Sequence, residues 1–166
     1  MLNILVTPVR GIVKEAERQA SAAGSTSVEA EHLLLAVASA AGTPAYDVLT
    51  RAGLTPDAIL AALLANAQRS LAAAGVTWDA TTPQGAAASS GARTGGRLTF
   101  GSSARRVLQR ATEFAKACGD DRLDAVHVLV GALRAEVGTV PRALAAAGVD
   151  RAALLAAAIG ARSLTD

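Results

Sequence analysis

The sequence predicts an all-α fold of two tandem four-helix repeats, eight helices in all. Three observations predict it. Hydrophobic residues make up 51% of the 166-residue chain but aromatics only 2%, so Ala, Leu and Val must fill the interior. Ala and Leu are strong helix formers, whereas strands draw on β-branched and aromatic residues. The second observation is a gapless internal duplication at an offset of 95 residues, with His32 over His127. The same register pairs Arg10 with Arg105, Gly24 with Gly119, Leu34 with Leu129, Leu49 with Leu144, Gly53 with Gly148 and Leu60 with Leu155. Such self-similarity signals a repeated structural unit. The third is punctuation: start and stop signals for helices recur at corresponding places in both copies.

The first helix of each copy starts near Thr7-Pro8, or near Ser102 or Ser103 acting as cap. A hydroxyl at the cap and a proline in the first turn both suit a helix N-terminus. Val9, Ile12, Val13, Ala16 and Ala20 then recur at helical spacing, as do Val107, Leu108, Ala111 and Ala115, and Gly24 and Gly119 end the pattern. The second helices carry His32-Leu33-Leu34-Leu35 and His127-Val128-Leu129-Val130. They are apolar around most of their circumference, which marks them as buried central helices. The third helices are short, residues 44–52 and 141–147, stopped by Gly53 and Gly148. The fourth start at Thr55-Pro56-Asp57 and at Asp150, and run to about Ala74 and Ala161.

These signals divide the chain into a first repeat over residues 1–74, a linker over 75–97 and a second repeat over 98–166. The linker is rich in Gly, Ala, Ser and Thr, a flexible composition. It holds the only tryptophan, Trp78, which either pins the linker to a groove of the helical body or offers a contact to a partner. A formal charge of +2, from sixteen basic and fourteen acidic residues, gives no basic stripe for nucleic acid. No wholly apolar run, that of residues 58–65 included, approaches the roughly 20 residues that span a bilayer. Residues 1–10 lack the basic and apolar regions of a signal peptide. The single cysteine, Cys118, excludes an intramolecular disulfide. A cytoplasmic protein without membrane or nucleic-acid partners is the expectation.

The order of motifs carries a resemblance. Glu31-His32-Leu33-Leu34-Leu35 is followed by Leu49-Thr50-Arg51-Ala52-Gly53, and Val126-His127-Val128-Leu129-Val130 by Leu144-Ala145-Ala146-Ala147-Gly148. Phe100 precedes Ala104-Arg105-Arg106-Val107-Leu108. The chain thereby resembles the N-terminal repeat domain of Clp/Hsp100 chaperones, the ClpC type above all, over nearly its whole length except the linker. In that family the module sits ahead of AAA+ ATPase rings, receives substrates and adaptor proteins, and in some members binds phosphorylated arginine. The resemblance implies an eight-helix module with pseudo-twofold symmetry, non-catalytic, whose partner is a Clp ATPase, an adaptor protein or a peptide ligand. The chain would act as an adaptor, regulator or decoy of a Clp system, or else be the detached N-terminal domain of a larger Clp ATPase. Its Met1 start and lack of a tag favour the stand-alone reading. No G-x-x-x-x-G-K-[ST] loop is present to cradle ATP phosphates.

Candidate chemistry is sparse. Glu31 and His32 could form an acid–base pair. No Ser or Cys nucleophile recurs beside them in both copies, and Val126 stands where Glu31 does, so a small hydrolase is the weaker rival. Two histidines without a third ligand do not make a metal site; no metal and no cofactor are expected. His32 and His127 read instead as structural, bonding a neighbouring backbone group at the start of a buried helix. By the resemblance, Glu31 occupies the position of the carboxylate that pairs with the guanidinium of phosphoarginine, while nearby cations hold the phosphate. The family's threonine before it is Ala30 here, and the second repeat has Ala125-Val126, so at most one such site survives. A glutamate is also simply favourable at a helix N-terminus. Finally, Leu2, Leu5 and Phe100 precede the first helices of the two copies, where the family places an apolar adaptor-binding patch. They form such a patch or staple the helix starts.

Overall fold

The computed structural model describes residues 7–75 and 98–162. Among them are eight helices: α1 (Thr7–Ala22), α2 (Ala30–Ala38), α3 (Pro44–Arg51), α4 (Pro56–Ala73), α5 (Ser102–Cys118), α6 (Ala125–Leu133), α7 (Thr139–Ala146) and α8 (Arg151–Arg162). From α2 to α4 and from α6 to α8, each helix starts 95 residues before its counterpart, as the duplication requires.

Local chemistry explains most boundaries. Thr43 Oγ1 accepts the Tyr46 N–H at 3.2 Å and Thr55 Oγ1 accepts the Ala58 N–H at 3.3 Å, so the two caps close α3 and α4. Asp150 accepts the N–H groups of Ala152 and Ala153 at the start of α8. Gly53 and Gly148 follow the third helices with φ of +73° and +69°, a conformation that favours glycine.

Two boundaries differ from expectation. Pro141 lies in the third position of α7, not at its start; Thr139 and Val140 precede it, and a proline within the first turn gives up no intrahelical bond. The cap of α5 is Gly101, not a serine, and it has no side chain to offer. There is also a two-residue parallel ladder, β1 (Ser27–Val28) against β2 (Thr99–Phe100), that helical periodicity did not signal.

The central helices are α2 and α6. Every residue of α6 is buried, and in α2 only Glu31 is partly exposed. One apolar core, built from Leu33, Leu34, Leu49, Leu129, Leu133 and Leu144 among others, runs through both repeats. α2 packs on α1 and α6, and α6 packs on α5 and α8. The outer helices cross over: α4 lies mainly on α7, and α8 on α3 and α6. Among the described residues no single helix is long and apolar enough to cross a membrane.

Candidate peptide-binding site

The ladder brings the start of the second repeat against the start of α2. Val28 pairs with Phe100, and the Gly101 N–H donates to the Val28 carbonyl at 2.9 Å. Glu29 follows directly, and its carboxylate reaches across to the N-terminus of α5. One oxygen accepts from Ser27 Oγ at 2.7 Å, and the other accepts from Ser103 Oγ. The Ser103 backbone N–H donates to the same carboxylate, and the Ala30 N–H donates to Ser103 Oγ at 2.9 Å. A carboxylate from the first repeat thus caps the first helix of the second. This explains how Gly101 can be the cap residue: a Cβ on it would collide with the Glu29 carboxylate. The Ser103 hydroxyl, opposed by burial and aided by Ser27, holds the Glu29 carboxyl below the usual carboxylate range.

Around this clamp lie two predicted site residues. Phe100 is half-buried, one side packed on the core. Glu31 stands in the first turn of α2 and is also half-buried. Leu2, Leu5 and Trp78 lie outside the described residues. His32 and His127 are buried at 6% and 2% exposure. Each ring accepts a backbone N–H through Nδ1, from Glu29 at 2.9 Å and Asp124 at 3.1 Å, the bond expected of a structural histidine.

The repeat's correspondence adds residues that motif reading missed. The positions equivalent to Gly11, Glu15 and Ser39 in the second repeat are Arg106, Arg110 and Arg134. The second repeat therefore carries basic residues where the first repeat, which holds Glu31, has neutral or acidic ones. The signal was present in the 95-residue register, but only an offset comparison of exposed residues reveals it.

Comparison with known proteins agrees with this architecture. The family model described as Clp repeat (R) N-terminal domain matches residues 5–121 and 99–161. Among solved structures, the N-terminal domain of the chaperone ClpD from Arabidopsis thaliana is similar with a TM-score of 0.70 and 20% identity, over 98% of this chain and 97% of that one. The N-terminal domain of Hsp104 from Candida albicans is similar with a TM-score of 0.62 and 15% identity, over 95% and 91% of the two chains. No curated protein sequence matches the chain.

Proposed function

Because the chain belongs to the Clp repeat N-terminal domain family, we propose that it is a non-catalytic protein- and peptide-binding module serving a Clp ATPase system as adaptor, regulator or decoy. The observation that carries this reading is the seam between the repeats. There the half-buried Phe100 and the half-buried Glu31 stand next to the clamp in which the Glu29 carboxylate bridges the starts of α2 and α5. An exposed aromatic edge on a fixed scaffold is a suitable anchor, because a few such residues supply most of an interface's energy. Leu2 and Leu5, before the first helix, would extend the patch. Glu31 would take the guanidinium of an arginine or a phosphoarginine.

The test is capture of partners from the native cytoplasm with the full chain and with Phe100→Ala. Burying a large side chain contributes about 1.5–3 kcal/mol, so the truncation should weaken capture of a Clp ATPase or adaptor clearly. Glu31→Ala should matter only for ligands that carry arginine or phosphoarginine. Full retention of binding by a Phe100→Ala chain that melts much earlier would make Phe100 a staple of the core and remove the patch from the reading.

A further inference from the structure

The clamp beside Phe100 is built into one seam of the molecule and not into the corresponding one. In the 95-residue register Ser27, Glu29 and Ser103 correspond to Arg122, Asp124 and Pro8. Asp124 keeps its carboxylate within its own repeat, where Oδ1 accepts the His127 N–H at 3.1 Å. Pro8 has neither a hydroxyl nor an N–H to offer. The Glu29 side chain, one methylene longer, crosses to the other repeat instead. There the Ser103 hydroxyl donates to it and in turn accepts the Ala30 N–H at 2.9 Å. The clamp is therefore a property of this sequence and not a consequence of the fold.

Its place gives it a task. Phe100 is carried by β2, and β1–β2 is a parallel ladder of only two residues per strand. So short a pairing is marginal on its own. Glu29 directly follows Val28, and Ser103 comes three residues after Phe100. Their bonds fasten both strands just beyond the end where Val28 pairs with Phe100. Gly101 bears this out. Its φ of −69° suits any residue, so the backbone does not demand glycine there. The demand comes from the Glu29 carboxylate, which occupies the space of a Cβ.

We infer that Glu29 is a positioning residue for Phe100: by tying Ser103 to the start of α2, it holds β2 on β1 and keeps the Phe100 ring in one half-exposed setting before a partner arrives. The inference rests on the reading of Phe100 as a partner anchor, because an anchor held in advance gives up less conformational freedom on association.

The chain has two phenylalanines, Phe100 and Phe114, so the full chain labelled with 4-fluorophenylalanine gives two 19F signals. Phe114, buried against His127 and Arg134, is the internal reference. In Glu29→Ala the Phe100 signal should move toward its position in the unfolded chain while the Phe114 signal stays. Exchange of the Gly101 amide hydrogen, which is bonded to Val28, should quicken about tenfold or more, as expected for loss of a charge-assisted bond. Glu29→Asp keeps the charge and places at the start of α2 the residue that starts α6. It should fail to reach Ser103 and reproduce both effects with little change in melting temperature. Gly101→Ala evicts the carboxylate on a backbone that tolerates alanine and should do the same. Combined with Glu29→Ala it should add little, since both remove one interaction. A carboxylate with a merely structural role would lower the melting temperature and leave both readouts unmoved well below it. An unmoved Phe100 signal with unchanged Gly101 exchange in Glu29→Ala, native behaviour of Glu29→Asp, or native behaviour of Gly101→Ala would each overturn the inference. Neither readout involves a partner, so partner capture that survives Phe100→Ala in a stable chain removes the proposed anchor without altering these signals.

Discussion

His32 and His127 begin the same helix in the two repeats and accept the same backbone bond, yet their second nitrogens meet different surroundings. His127 Nε2 lies 2.8 Å from Asp120 Oδ2. The same carboxylate binds the Arg162 guanidinium at 2.6 and 2.8 Å. In the first repeat the counterpart of Asp120 is Ser25, whose hydroxyl turns to the Ser27 carbonyl at 2.7 Å. Burial pushes the His32 ring below its ordinary value of 6.5, and the nearby Glu31 and Glu29 offset this only in part. Burial acts on His127 as well, but Asp124 and Asp120 outweigh it and raise the ring above 6.5. The two therefore influence stability with opposite sign. The unfolded chain takes up the His32 proton first, so that ring subtracts stability as pH falls below about 6.5. The His127 contribution is fully present below about 6.5 and is lost as pH rises through the ring's folded value. An NMR titration of the imidazole C–H signals should find His127 with the higher midpoint. Asp120→Asn should lower that midpoint and, by weakening the bonds of Arg162 and His127, destabilise the chain by about 1–3 kcal/mol. Two rings that titrate together, or an Asp120→Asn chain whose His127 does not move, would refute this account.

At the scale of elements, glycine tests whether packing or propensity governs a helix. Gly131 sits inside α6, where a Cβ would run into the Val107 carbonyl oxygen, with Ala111 N at 3.0 Å beside it. Gly160 sits inside α8, with nothing within 4 Å of such a Cβ. Alanine is the better helix former by about 0.8–1 kcal/mol. Gly160→Ala should therefore stabilise by up to about that amount, while Gly131→Ala should destabilise by about 1–3 kcal/mol, because α5 and α6 would have to separate. Thermal melts of the two variants decide it; shifts of the same sign would show that backbone contact does not set the α5–α6 approach. The same contrast explains what the sequence made legible. Thr43, Thr55, Gly53 and Gly148 act on residues within one turn of themselves, and they marked helix boundaries correctly. The cap of α5 was misread as a serine because the capping carboxylate belongs to Glu29, distant in sequence, and β1–β2 is too short for an alternating pattern to emerge. For the candidate site, the motif located Glu31 and the histidines. The bond from Ser103 to Glu29 and the stack of Arg134 over Phe114 arise from contacts between helices, which no local spacing encodes.

At the scale of the whole molecule, the sequence repeat and the packing unit are different things. α4 closes the first repeat in sequence but lies mainly on α7, and α8 lies on α3 and α6. The fourth helix of each repeat thus covers the third helix of the other. The Glu29 carboxylate fixes the start of α5 from the first repeat, and Val28 pairs with Phe100 across the same seam. Leu34 and Leu129, both almost wholly buried, belong to one continuous core. A half deprived of its partner would expose α3 or α7 where the other half's fourth helix normally lies, and it would leave α2 or α6 half uncovered. The two halves should therefore unfold in one step, with calorimetric and van't Hoff enthalpies equal. Leu34→Ala and Leu129→Ala, each costing about 2–5 kcal/mol, should lower that single transition alike, although they lie in different repeats. Two resolved transitions, with each substitution displacing only one of them, would mean that the repeats fold independently and that the crossed outer helices contribute little to holding them together.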